Sequence, residues 1–124
     1  MILLKERAYC KVREPLQKVT INNLFARTVV EKHLMGKVFV DDVNTPGTFH
    51  VVHPYGMSLL FGNPENDGFN RQFREYALNR DKTRHKDEWM QVFPDGWDDR
   101  LKDLFGSNIK FDMKYDNRSK DKTF

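Results

Sequence analysis

The chain has 124 residues, 39% of them hydrophobic, with 16 aromatic side chains and a net charge of +3, which describes one globular domain with enough apolar payload for a single core and excludes a largely disordered segment. One cysteine, Cys10, excludes an internal disulfide framework, and neither a signal peptide nor a run of roughly 20 apolar residues that could cross a bilayer is expected, so the cytoplasm is the expected location and no membrane partner is foreseen. Residues 1–37 carry eight Lys or Arg against three acids and residues 38–69 carry four acids with no Lys or Arg, but no basic stripe is interleaved with aromatics or glycines as a nucleic-acid surface needs.

In chain order, residues 15–35 read as helix in one or two pieces. Pro15 suits a first turn, Thr20 a cap for a second piece and Gly36 a left-handed stop, while Ile21, Leu24, Phe25 and Val29 form one apolar face. Strands are expected at 37–42, 48–53 and 57–62, with Asn44-Thr45-Pro46-Gly47 as a turn and Pro54 and Gly56 interrupting the ladder. Asn63 to Gly68 reads as a loop into a helix whose apolar face is Phe69, Phe73, Tyr76 and Ala77, and Asn79 to Asp87 as a charged loop. Trp89 to Phe93 reads as a strand stopped by Pro94. Asp95 is the expected cap of a helix with Trp97, Leu101, Leu104 and Phe105 on its inner face and Gly106 at its end. The alternation of Ile109, Phe111, Met113 and Tyr115 with charged residues predicts a last, half-buried strand. The fold class is therefore α/β of the α+β type, a mixed, mainly antiparallel sheet of about five strands flanked by about three helices. Residues 1–115 form the single lobe and 116–124 a polar tail or the start of a second lobe. Trp89, Trp97, Phe105 and Phe111 read as core aromatics.

Chemistry-bearing residues are sparse. His50 and His53 lie three apart on one strand, an odd spacing that sends them to opposite faces, and with His33, His85 and Cys10 scattered elsewhere no metal is expected. Ser58, Ser107 and Ser119 lie in no nucleophile elbow. His53 and Tyr55 share strand parity, so a bulge beside Pro54 and Gly56 would aim them at a cleft; the other reading is that Tyr55 packs at the sheet edge with a wet hydroxyl and His53 is an ordinary surface residue. Asp41, Asp42, Glu65 and Asp67 either attract a cationic amine or serve turn and cap chemistry. Lys110, Lys114, Arg118, Lys120 and Lys122 alternate with acids and give a weak field.

Asn23-Leu24-Phe25-Ala26, the module Gly36 to Asn63 with its His53-Pro54-Tyr55-Gly56 turn, and Glu88-Trp89-Met90-Gln91-Val92-Phe93-Pro94 resemble the N-terminal half of a family of GNAT-type N-acetyltransferases, the one that includes the zwittermicin A resistance acetyltransferase. The resemblance runs from about Leu16 to the last residue. It implies a GNAT-like N-terminal lobe, a small amine as acceptor, acetyl-coenzyme A as cofactor, and a second, C-terminal lobe as partner. In that family the pyrophosphate cradle is a strand-to-helix turn written Gln or Arg, two residues, Gly, one residue, Gly or Ala, and no Gln or Arg of this chain has Gly three positions on. The coenzyme is thus expected to be bound by the other lobe, and this chain alone to be inactive. His53, Tyr55 and Asn63 are the residues expected to face substrate, with the catalytic base unassigned. The competing reading is a non-catalytic interaction module that pairs with itself as a homodimer or with another protein.

Overall fold

The computed structural model describes residues 1–21, 23–33, 35–79 and 88–106 and, as backbone, 110–113 and 120–123. The elements are β1 (Ile2–Leu3), a 3-10 turn (Glu6–Ala8), α1 (Cys10–Gln17), α2 (Leu24–Val30), β2 (Lys37–Val40), β3 (Thr48–His53), β4 (Met57–Gly62), α3 (Asp67–Leu78), β5 (Trp89–Phe93), α4 (Gly96–Phe105), β6 (Lys110–Met113) and β7 (Lys120–Thr123). The strands form one sheet in the order β1-β2-β3-β4-β5-β7-β6. Neighbours are antiparallel except β4 and β5, which run parallel from Met57↔Trp89 to Phe61↔Phe93. A parallel pair needs a long crossover, and α3 lies on it. The fold is α+β with a mixed, mainly antiparallel sheet. The five expected strands are joined by the two-residue β1 and by β7, whose backbone runs through the stretch read as a polar tail.

Alternation splits β3 and β4 between two cores. Phe49, Val51, Leu59 and Phe61 face α1 and α2, with Phe49 and Phe61 stacked at 4.7 Å, whereas Leu60, Met90 and Val92 face Phe69, Phe73, Trp97, Leu101 and Phe105 of α3 and α4. With both faces covered, the central strands are almost continuously buried, as strands sandwiched between helix layers must be. Trp97 donates its indole N–H to Gly62 O at 3.2 Å, pinning α4 to the end of β4.

Several local expectations are corrected. Helix starts at Cys10, not Pro15, because Val12 and Leu16 at i, i+4 both bury. Pro15 sits inside α1, which ends two residues later. Thr20 is exposed and caps nothing; Asn23 precedes α2, and its amide donates to Leu16 O and Val19 O, tying the end of α1 to the start of α2. The left-handed residue after α2 is Lys32 (φ 65°), not Gly36. Gly36 is demanded by close approach instead: a Cβ there would lie 2.4 Å from Val52 O and 2.8 Å from Val29. Trp89 is 53% exposed, so it is not core, although Trp97 and Phe105 are. The expected loop at 80–87 and the side chains of Phe111, its neighbours and the basic residues from Lys110 to Lys122 lie outside what the structure describes.

Asn66 caps α3, its Oδ1 accepting from Phe69 N at 3.0 Å, and its Nδ2 donates to Asp41 Oδ2 at 2.9 Å. Asn66→Ala is expected to cost about 1 kcal/mol in urea denaturation. An unchanged midpoint would mean that water replaces the cap without penalty.

Candidate functional site

The three expected substrate-facing residues do not meet. His53 closes β3 and Tyr55 sits in the turn before β4. Pairing continues through His53↔Met57, so no bulge redirects them. Tyr55 is 77% exposed, its N–H donating to His53 Nδ1 at 3.2 Å and its ring 5.1 Å from the imidazole. His53 is buried rather than an ordinary surface residue, with Phe25 edge-on at 6.4 Å on its other side. Asn63 lies past the far end of β4, roughly 20 Å away for six strand residues. There it is a turn residue: its N–H donates to Gly47 O, its Oδ1 accepts from Glu65 N and its O accepts from the Thr48 hydroxyl.

At that far end, the acids are occupied by backbone. Asp41 Oδ1 accepts from Gly47 N and Thr48 N, and Asp42 Oδ1 accepts from Asn44 N and Thr45 N. A cleft of about 430 Å³ opens beside them, lined by Asp41, Asp42, Asn66, Phe69 and Arg71. It sits at the N-terminus of α3, but the Asn66 cap and the first-turn Asp67 already answer the positive end of the helix.

Among the described residues, the densest polar constellation lies inside the molecule. His50 Nε2 and Glu88 Oε1 are 2.8 Å apart, and the Tyr76 hydroxyl donates to Glu88 Oε2. His50 and Ser58 are fully buried and Glu88 is 2% exposed. Aromatic rings wall the site: Phe39 stacks on His50 at 5.9 Å, while Phe73 and Tyr76 meet it edge-on at 5.0 and 5.2 Å. Burial by itself pushes the Glu88 carboxyl up. The charge of His50 and the hydrogen-bonding groups of His50, Ser58 and Tyr76 outweigh burial and hold it below its ordinary range. Ser58 Oγ faces that carboxylate without a hydrogen bond of good geometry, and His50 Nδ1 has no partner either.

Neither Glu88 nor Tyr76 stands out as functional in the sequence, and His50 does so only as a rejected metal ligand. One signal was available: a histidine between Phe49 and Val51 on a central strand is buried on the pleat whatever its role, and a buried imidazole needs a partner. The cluster binds α3 to the start of β5, and the clefts described here open elsewhere. Among the described residues no group of three or more His, Cys, Asp or Glu could hold a metal ion, and no helix is long and apolar enough to cross a membrane. A scan against protein-family models finds no match, and a search of curated proteins finds no relative.

Proposed function

We propose that this chain is the non-catalytic lobe of a GNAT-type N-acetyltransferase, working in the cytoplasm beside a second lobe that binds acetyl-coenzyme A, and that it helps to form the wall against which a small amine acceptor sits. The sequence resemblance supplies the family. The observation that carries the division of labour is the state of the β4–α3–β5 crossover. Ligands of open sheets with parallel strands bind outside the carboxyl ends of those strands, and phosphates bind at the following helix N-terminus. Here β4 and β5 remain paired to Phe61↔Phe93, and the helix end is taken by Asn66 beside Asp41 and Asp67. A diphosphate brought there would meet Asp41 and Asp42 beside Arg71, at a helix end already capped by Asn66.

Isothermal titration of this chain with acetyl-coenzyme A tests the reading. No saturable heat is expected up to millimolar ligand, and micromolar affinity would overturn it. Acetyl transfer to an amine is expected only when the second lobe is co-expressed.

One observation favours the interaction-module reading. Met35, Tyr55, Met57 and Trp89 are all exposed. They gather at one end of the sheet, since Met57 pairs with Trp89, Tyr55 packs on His53, and Met35 leads into β2 opposite the end of β3. Size-exclusion chromatography with light scattering separates the two accounts. A closed dimer in which acrylamide no longer quenches Trp89 favours the module, and an aggregation-prone monomer favours the lobe.

A further inference from the structure

Helices α1 and α2 enclose a cleft of about 580 Å³, within the range of small-molecule sites. Leu16, Val19 and Val30, all buried, are among the residues that line it. Asn23 also lines it, its amide donating to Leu16 O in the last turn of α1 and to Val19 O just beyond it, which ties the two helices together beside the cleft. Arg13 enters from α1 and Arg27 from α2. Each lies one helical turn from a second lining residue, Gln17 and Glu31 respectively, so each helix presents a single stripe to the cleft.

The two guanidinium groups are the unusual feature. Among the described residues neither makes an ion pair. Glu31, one turn from Arg27, instead has its Oε2 3.6 Å from His33 Nε2. Two like charges lining one cleft repel each other, Glu31 offsets only one of them, and the surrounding residues 1–37 add to the field, with eight basic residues against three acids. An oxyanion between them converts that repulsion into charge-assisted, bidentate hydrogen bonds, which a guanidinium fork fits better than an ammonium does. Two arginines without an ion pair among the described residues, lining one cleft of small-molecule size, favour a recognition surface over a solvated face.

We propose that the α1–α2 cleft binds a small ligand through an oxyanion, carboxylate or phosphate, clamped between Arg13 and Arg27. This site lies on the opposite side of the sheet from α3 and does not depend on the acetyltransferase reading.

Amide chemical shifts of the whole chain, titrated separately with sodium pyrophosphate and with succinate at matched ionic strength, test it. Saturable shifts confined to α1, α2 and the turn between them are expected with at least one probe. Tighter binding of pyrophosphate identifies a phosphate ligand and tighter binding of succinate a carboxylate. Arg13→Gln and Arg27→Gln should each weaken binding by about tenfold, whereas Glu31→Gln, which leaves both arginines in place, should strengthen it by about threefold. Both arginine side chains are exposed, and unchanged circular dichroism checks that the variants fold. Shifts no larger than those from sodium chloride, or affinity unaltered in the doubly substituted chain, would overturn the proposal, as would weaker binding by Glu31→Gln.

Discussion

Glu88→Ala is expected to destabilise the protein by about 3–5 kcal/mol, the cost of removing one partner from a buried hydrogen-bonded pair. The substitution leaves the His50 imidazole, already short of a partner at Nδ1, without its contact at Nε2 as well, and the Tyr76 hydroxyl loses its acceptor. It also opens space beside His50 and Tyr76. Urea denaturation at pH 7 measures the effect, and a loss below about 1 kcal/mol would show that the cluster is relaxed by water. The combined substitution His50→Leu, Tyr76→Phe and Glu88→Met should cost far less than Glu88→Ala, because a buried polar cluster and apolar packing of similar volume are nearly interchangeable when every member of the cluster is replaced together.

The same cluster predicts a pH dependence. The folded carboxyl titrates below its ordinary 4.5, so on the acid side of that value the unfolded chain binds more protons than the folded one. The contribution of Glu88 is therefore complete above about pH 4.5 and is lost as the pH falls through the lower, folded value. Urea midpoints between pH 3 and 6 should fall more steeply on the acid side for the wild type than for Glu88→Gln. Parallel curves would place the acid sensitivity on other carboxylates.

Gly62→Ala is the second large effect, at about 3 kcal/mol. Gly62 has φ +101°, a conformation that costs an L side chain, and a Cβ there would stand 2.3 Å from Gly47 O. The obstacle is backbone, which cannot rotate away. Gly47 is itself held, its N–H by Asp41 and its carbonyl by Asn63 N. Moving Gly62 also disturbs the carbonyl that receives the Trp97 indole, so strain at one turn reaches the packing of α4. Gly68→Ala is the control. It lies in the first turn of α3 with its nearest obstacle at 3.8 Å and no positive φ, and it is expected to stabilise by about 0.5–1 kcal/mol. Thermal melts of the two variants should move in opposite directions.

Much of the candidate site was hidden for the same reason that these two effects are large. The turn chemistry of Asp41 and Asp42 is local, and sequence offers it as one of two readings; the hydrogen bonds to Gly47, Thr48, Asn44 and Thr45 decide for it. His53 and Tyr55 are close because they are two residues apart. Asn63, six strand residues further on, is carried to the opposite end of the sheet. The Arg13–Arg27 cleft could not be read from spacing alone, because it depends on α1 folding back on α2 through a turn that Asn23 holds by side-chain bonds. Trp89 shows the converse error: an aromatic on a strand pattern looks like core, but its position at the start of β5 leaves it half in water.

By itself, the sequence determined the central strands, the helices after them and the class of the fold, because these follow from side-chain period along a few neighbouring residues, though not β1, β7 or the start of α1. Only the tertiary structure decided which distant residues became partners: His50 with Glu88, 38 positions apart, Gly62 against Gly47, and Gly36 against Val52. Such pairs are set by how strands register and helices cross over the sheet. Local period carries no information about them, since a residue's own neighbours in sequence are the same whether its partner across the core is a carboxylate, a carbonyl or a methyl group.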